Sequence, residues 1–492
     1  MRKDLILSID QGTTSTRALL VDAQGEVVAS AAREHQQYFP ADGWVEHDAE
    51  EILANVAAVA REVLNAAPPG SVVAAGITNQ RETTVLWDRA SGRPVHRAIV
   101  WQDRRTHEAC TELKRQGLEE MIQERTGLLL DPYFSGTKLA WLLSQVPRAH
   151  ARAEAGELAF GTIDSWLVYR LTGGRVHATD ATNASRTLLY DIRRNSWDDD
   201  ILRLLKIPRA LLPEVKDCAA DYGMMEEALI GVRIPILGVV GDQQGAAIGQ
   251  ACFKPGEAKS TYGTGCFLLV NTGTEVPRSK ARLLGTIAYR LQGQTVYALE
   301  GSTFMAGALI EWVKSIGLIR EAREVEALAA KANPASACIL VPGFVGLGAP
   351  YWAPDARGAL IGMTRDTGAP EIASAALDAV AYQTRDLLEA IKRDTGVAPA
   401  SLRVDGGMTK SDFFLQRLAD LTGAEVVRGR SAETSALGAA FLAGMQAGIF
   451  ASLAQISTLR NDGAAFRPRL APPERDRLYG LWNVAVRRTL PN

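Results

Sequence analysis

The stretch ILSIDQGTTSTRALLVD (residues 6–22) decides how this chain is read. A short apolar run ends in Asp10. Gln11 and Gly12 follow, then four consecutive hydroxyl residues, Thr13, Thr14, Ser15 and Thr16, and then Arg17. The pattern predicts a strand over LILSID, a loop after Asp10, and a second strand over TRALLVD. A third strand, EVVASAA, follows the turn AQGE, in which Gly25 is the turn residue. An ordinary turn needs neither the acid nor the run of hydroxyls. Backbone N–H groups in a tight glycine turn form a concavity for anions, and hydroxyl groups add donors. The stretch therefore points to a polyphosphate held without a lysine.

The flanking sequence extends the reading. DAEEILANVAAVAREVLNAA (48–67) has a capping acid and apolar positions at helical spacing, and VVAAGIT (72–78) reads as the next strand. Strand, hairpin, helix, strand is an α/β layout, in which ligands bind at the carboxyl ends of strands. The loop at Asp10 and the segment TNQRETT (78–84) both lie at such ends. The arrangement recurs further along. RIPILGVVGDQQGAAIGQA (233–251) predicts a strand, a Gly-Asp turn and a helix of small residues. EAKSTYGTGCFLLVNTG (257–273) predicts a second glycine-turned hairpin, and SLRVDGGMTKSDFFLQRLADLTG (401–423) a strand, a Gly-Gly turn and a helix. Two α/β halves with glycine loops facing one cleft is the most economical organisation. The boundary is expected near residue 247, giving domains 1–247 and 248–492.

Bulk properties exclude several function classes. The 492 residues exceed one hydrophobic core. A formal charge of -2 provides no field for nucleic acid or an anionic membrane surface. Apolar runs are far shorter than the roughly 18 residues that span a bilayer, and the opening MRKDLILSIDQG holds too short an apolar segment for a secretory signal. A cytoplasmic protein is expected. The five Cys are scattered without a CxxC pair, and the six His show no ligand spacing, so neither a disulfide framework nor a His/Cys metal site is expected.

The chemistry concentrates in loops. The phosphate-loop pattern GxxxxGK[ST] is absent, as are HRD and DFG. Instead the chain carries DQGTTSTR (10–17), GDQQG (241–245), YGTG (262–265) and DGG (405–407), each after a strand-like run. Asp10 and Asp242 both end predicted strands. Phosphoryl transfer needs Mg²⁺ on the phosphates and a carboxylate near the acceptor hydroxyl. Asp10 suits a water-mediated metal role, and Asp242 suits the base, with turn stabilisation as the alternative for both. Arg81 and Glu82 offer donors and acceptors for adjacent hydroxyls, unless they form a purely structural pair. Trp101 in VWQDRRT (100–106) and Tyr133 in DPYFSGTK (131–138) offer apolar walls, or belong to the core.

The set DQGTTSTR, TNQRETT, VWQDRRT, DPYFSGTK, GDQQ, TYGTGCF, GLGAPYW and VDGG resembles the glycerol kinase branch of the FGGY carbohydrate kinases, from about residue 5 to beyond residue 445. The resemblance implies an actin-like ATPase fold, two ribonuclease-H-like domains with an interdomain catalytic cleft. It implies phosphorylation of glycerol by ATP with Mg²⁺, in a cytoplasmic homodimer or homotetramer. Carried over by position, Arg81, Glu82, Tyr133, Asp242 and Gln243 would hold glycerol, with Trp101 and Phe267 as walls. Thr13, Thr14, Ser15, Arg17 and Thr264 would meet the phosphates, and Gly307 and Gly407 the nucleoside. Asp242 would be the base and, with Asp10, the metal side of the site. The chain departs from the family pattern at Glu311 and Ser411, where Gln and Asn are common and nucleotide contacts are expected. EEALIGVRIPILG (226–238) lacks the glycine-rich insertion tied to fructose-1,6-bisphosphate inhibition in enteric-type members, and RPRLAPPERDRLYGLW (467–482) lacks their segment for a phosphotransferase regulator. A kinase of another polyol or sugar on the same fold is the near alternative, and an ATPase switch without a small-molecule acceptor the remote one.

Overall fold

The computed structural model describes residues 4–460 and 462–490; the basic start at 1–3 and the last two residues lie outside them. The first sheet is built from β1 (Leu5–Gln11), β2 (Ser15–Asp22), β3 (Val27–Glu34), β4 (Val72–Asn79) and β5 (Ile236–Gly241), in the spatial order β5-β4-β1-β2-β3. β1 runs antiparallel to β2 and parallel to β4, and β5 runs parallel to β4. The carboxyl ends of β1, β4 and β5 therefore point the same way. They bring Asp10, the 80–84 segment and Asp242 to one edge.

The opening loop is shorter than the sequence suggests. Ladder pairing continues through Asp10↔Arg17 and Gln11↔Thr16, so Gln11 belongs to β1 and Ser15 to β2. Only Gly12, Thr13 and Thr14 form the turn, closed by the Gly12 amide donating to the Ser15 carbonyl at 2.9 Å. The hydroxyl run fits the strand because Ser and Thr alternate across the pleat, with Thr16 facing the core.

The second sheet repeats this plan. Its strands are β6 (Ala258–Tyr262), β7 (Cys266–Gly273), β8 (Leu284–Leu291), β9 (Gln294–Thr303), β10 (Ser401–Asp405), β11 (Glu425–Gly429) and β12 (Asp462–Phe466). The order is β8-β9-β7-β6-β10-β11-β12. Its inner five strands have the same antiparallel and parallel relations as the first sheet. The duplication is thus structural, with β8 and β12 added at the edges.

Helices cover the sheets for local reasons. In α1 (Ala49–Asn65), the Asp48 carboxylate accepts from the Glu50 amide at 2.9 Å, and Glu50 and Glu51 complement the positive end of the dipole. Ile52, Val56, Val59 and Val63 recur on one face and are buried on the first sheet. α2 (Ser135–Gln145) lies in the long segment between β4 and β5. α3 (Asp242–Gly249) follows β5 directly, and α4 (Gly307–Ser315) follows β9. α5 (Ala369–Thr395) and α6 (Asp412–Thr422) pack on the second sheet, and α8 (Pro472–Arg487) packs on α5 and α6.

α7 (Thr434–Gln446) comes late in the chain but lies against the first sheet. It approaches so closely that side chains are excluded. A Cβ on Gly238 of β5 would meet the Ala443 amide nitrogen at 2.7 Å, and one on Gly245 of α3 would meet the Ser435 carbonyl at 2.9 Å. A Cβ on Gly438 of α7 would collide with the Gly245 carbonyl. One core, which includes Ile6, Ala74, Val240, Ala247, Leu269, Ala298 and Ala440, joins the two sheets through this crossing.

Gly438→Val forces main chain against main chain and should lower the unfolding free energy by about 1–3 kcal/mol or more, as overpacked sites do. Gly480→Ala, on α8 with open space where the methyl group would go, should raise it by about 0.5–1 kcal/mol. Urea unfolding of both variants measures the contrast, and equal effects would mean that the crossing tolerates a side chain.

Candidate active site

The 80–84 segment leaves β4 in a strained bend. Glu82 has φ +61, a region that a residue with a side chain enters at a cost. Three groups hold it there. The Thr83 amide donates to the Arg81 carbonyl at 2.7 Å, the Ser135 hydroxyl donates to the Glu82 carbonyl at 2.9 Å, and Lys138 Nζ reaches the same oxygen at 3.5 Å. Arg81 and Glu82 are 3% and 1% exposed. The bend turns both inward.

Arg81 then meets Asp242. Its Nε lies 3.2 Å from Asp242 Oδ1, while Gln243 Nε2 donates to Oδ2, also at 3.2 Å. Asp242 opens α3, where the helix dipole favours its charge, and its carbonyl accepts from the Ser435 hydroxyl of α7 at 2.9 Å. The Gly241 amide donates to Thr182 Oγ1 at 2.9 Å, fixing the turn just before it. Burial pushes the Glu82 carboxyl up, and Arg186 and Arg81 pull it back.

Aromatic residues form the walls. Trp101 stands edge-on to Tyr133 and to Phe267 of β7, with ring centroids 5.7 and 5.8 Å away. Trp101 Nε1 donates to Thr13 Oγ1 at 2.9 Å, which links this wall to the opening turn. The Tyr133 hydroxyl lies 3.5 Å from Arg81 Nη2. A cavity of about 140 Å³ is lined by Thr13, Arg81, Glu82, Trp101, Tyr133, Asp242, Gln243, Phe267 and the hairpin at Gly263, Thr264 and Gly265. Side chains from both sheets thus converge on one small space with polar groups on one side and rings on the other.

Of the remaining expected positions, Thr264 lines the cavity, and Thr14, Ser15, Arg17, Gly307, Glu311, Gly407 and Ser411 do not. Thr14 is exposed, and Ser15 and Arg17 are half-buried. Arg17 pairs with Glu433, just before α7. Thr264 is exposed at the tip of the β6–β7 hairpin, and its carbonyl accepts from the amides of Ala306 and Ala308 at 2.9 and 3.1 Å. Gly307 sits where a Cβ would meet the Gly263 carbonyl at 2.6 Å, while Gly407 faces open space. Glu311 faces solvent, 3.7 Å from Lys314. Ser411 caps α6, its hydroxyl accepting from the Phe414 amide at 2.9 Å.

Asp10 is electrostatically unusual. Burial first, then the neighbouring Asp242 and Glu433, push its carboxyl from 3.8 up to about 7 against the pull of Arg17. A carboxyl flanked by two others is a place of surplus negative charge. That surplus is relieved by a cation, and two strand-end carboxylates completed by water are a donor set that suits Mg²⁺. Among the described residues no group of three or more His, Cys, Asp or Glu side chains could hold a metal by itself. Any such ion would share its ligands with water or phosphate.

Three charged residues escape the sequence reading. Glu300 of β9 and Arg186 are fully buried, and Lys259 of β6 is too. Their only sequence signal is a charge within a run otherwise suited to the interior, as in VYALEGS and EAKSTY. Such a charge needs a buried partner.

Comparison with known proteins agrees with this geometry. The N-terminal domain model of the FGGY family of carbohydrate kinases matches residues 5–249, and the C-terminal domain model matches residues 258–447. The chain is 58% identical to a glycerol kinase of Brucella ovis over 99% of this chain and 98% of that one. It is 56% identical to a glycerol kinase of Alcanivorax borkumensis over 98% of each chain. Among solved structures, a glycerol kinase of Plasmodium falciparum with ADP matches with a TM-score of 0.93 at 38% identity, covering 100% of this chain and 99% of that one. The xylulose kinase of Lactobacillus acidophilus shares the fold, with a TM-score of 0.88 at 22% identity over 98% of this chain and 97% of its own. The chain belongs to the FGGY family of carbohydrate kinases.

Proposed function

We propose that the chain transfers the terminal phosphoryl group of ATP to a primary hydroxyl of glycerol, giving ADP and sn-glycerol 3-phosphate. The observation that carries this reading is the small cavity on which both halves converge. Arg81, Glu82, Asp242 and Gln243 form its polar side, Trp101, Tyr133 and Phe267 its walls, and the Gly263–Gly265 hairpin its far edge. A three-carbon polyol matches it, with hydroxyls for the charged side and a carbon backbone for the rings. The relatives named glycerol kinases, similar over nearly their whole lengths, support the choice of acceptor.

Each residue has a task that follows from its surroundings. Arg81 and Gln243 orient the two oxygens of Asp242, so one is aimed at the acceptor hydroxyl. As the new O–P bond forms and the bond to ADP breaks, Asp242 takes the hydroxyl proton. The turn at Thr13–Thr14, with Ser15 and Arg17, holds the phosphates from one side, and Thr264 from the other. Gly307 and Gly407 let the main chain approach the nucleoside, with Glu311 and Ser411 beside it. Mg²⁺ bound with ATP supplies neutralisation of the phosphate charge, and Asp10 and Asp242 would hold it. Trp101 and Phe267 keep water from the transferring group. Residues 1–247 act as the acceptor-side domain and 248–492 as the nucleotide-side domain. Among the described residues no helix is long and apolar enough to cross a membrane.

The deciding experiment is a coupled ATP assay with glycerol and a panel of tetritols, pentitols and pentuloses. Turnover of another polyol without turnover of glycerol would overturn the assignment. Asp242→Asn should lower kcat by about two to four decades, the range for loss of a general base; near-normal turnover would remove Asp242 from that role. Arg81→Ala should raise the glycerol KM by about tenfold or more, the effect of losing a charged hydrogen bond, and an unchanged KM would count against the polyol grip.

Asp10 yields a pH signature in the ligand-free protein. Folding raises its carboxyl from 3.8 to about 7, so in that range the folded state holds a proton that the unfolded chain has shed. The stability it contributes is full below about pH 4 and is lost as pH rises through about 7. Asp10→Asn abolishes the loss. Its Tm should equal that of the parent near pH 4 and exceed it near pH 8. A constant difference across that range would show that the carboxyl does not titrate there.

A further inference from the structure

Arg81, which lines the acceptor pocket, and Arg186, which lies behind Glu82, are both anchored from the opposite sheet. Glu300, near the end of β9, is 0% exposed. Its Oε2 accepts from Arg81 Nη1 at 2.5 Å, and its Oε1 accepts from Arg81 Nη2 at 3.1 Å and from Arg186 Nη2 at 2.9 Å. Burial works against its charge, and the two guanidiniums more than reverse that, so the carboxylate stays ionised. Each arginine then reaches one carboxylate of the first half. Arg81 Nε meets Asp242 at 3.2 Å, and Arg186 Nε donates to Glu82 at 2.6 Å. A second line runs the same way, because Lys259 of β6 donates through Nζ to Gln243 Oε1, and to Thr261 Oγ1 at 2.9 Å.

Two cations and three carboxylates therefore alternate in a chain, Asp242–Arg81–Glu300–Arg186–Glu82, buried except at Asp242. Arg81 and Arg186 would otherwise have only Asp242 and Glu82 as acidic partners, and those are the groups that an incoming polyol needs. Glu300 takes both Nη atoms of Arg81 and Nη2 of Arg186, so each guanidinium reaches Asp242 or Glu82 through Nε alone and leaves those carboxylates further lone pairs for hydroxyls. We propose that Glu300 is a positioning residue for the acceptor: from the second sheet it sets the two guanidiniums that shape the polyol pocket of the first half. The pocket thus takes its binding form only while the halves are together. This rests on the glycerol reading above. The phosphate-side residues Thr13, Thr14, Ser15 and Arg17 make no hydrogen bond or ion pair with Glu300 among those the described residues form, so nucleotide binding should be spared.

The test is Glu300→Gln, with Glu300→Asp as the charge-preserving variant. In Glu300→Gln the glycerol KM should rise about tenfold or more, while the ATP KM stays within about threefold. The rise in Tm on adding glycerol should disappear, and the rise on adding MgADP should remain. Glu300→Asp should recover part of both glycerol effects. If the Gln variant does not fold, the same split read on Glu300→Asp decides the matter. A kcat reduced only in proportion to folded protein, with glycerol KM unchanged, would overturn the proposal, as would equal shifts in both KM values. The parent protein separates the two layers. If it turns over another polyol but not glycerol, the acceptor assignment fails, and the split is then measured with the polyol that it does use.

Discussion

The architecture depends on a contact between two backbones. α3 and α7 cross with glycine against glycine, Gly245 facing Gly438, and no side chain intervenes. That closeness lets a helix from the second half lie on the first sheet, and it makes one core out of parts of both. The chemistry hangs on the same crossing. Asp242 is the first residue of α3, its carbonyl is held by Ser435 of α7, and Glu433 just ahead of α7 pairs with Arg17 of the opening hairpin. Van der Waals packing at the crossing therefore sets the distance between the candidate base and the candidate phosphate turn.

The two sheets share a plan but differ in chemistry. At the strand ends of the first stand Asp10, the Arg81–Glu82 bend and Asp242. At those of the second stand glycine turns, YGTG and DGG, whose amides and small profile suit an approaching phosphate or nucleoside. Charge on one wall and open backbone on the other is a division that suits a reaction between a neutral polyol and a polyanion. The aromatic pair Trp101 and Phe267, one from each half, closes the space between them.

What was legible in the sequence was what is local. The hairpin turns, the acids ending β1 and β5, and the capped α1 follow from glycine, hydroxyl and carboxylate chemistry within a few residues. The turn at Gly12 is shorter than the sequence suggests because a run of hydroxyl residues reads as loop, whereas β1 extends to Gln11 and β2 begins at Ser15. Glu300 and Arg186 are invisible because their partners lie far away in the chain, as with Arg81 and Glu300 across 219 positions. Side-chain direction also escaped the pattern. Ser411 has its hydroxyl engaged by the α6 amides, and Glu311 points to solvent beside Lys314.

The late position of α7 matters during synthesis as well as in the finished molecule. β5, the last strand of the first sheet, is complete at residue 241, yet the helix that covers one of its faces begins only at residue 434. At the usual rates of translation, about 5–20 residues per second, that apolar face waits on the order of ten to forty seconds on the ribosome for its cover. Over that interval the nascent chain presents Ile6, Leu19, Val21, Ala74 and Val240 to solvent or to a chaperone. The glycines that let the halves mesh so closely thus also postpone the moment at which the first half can become a closed, soluble unit.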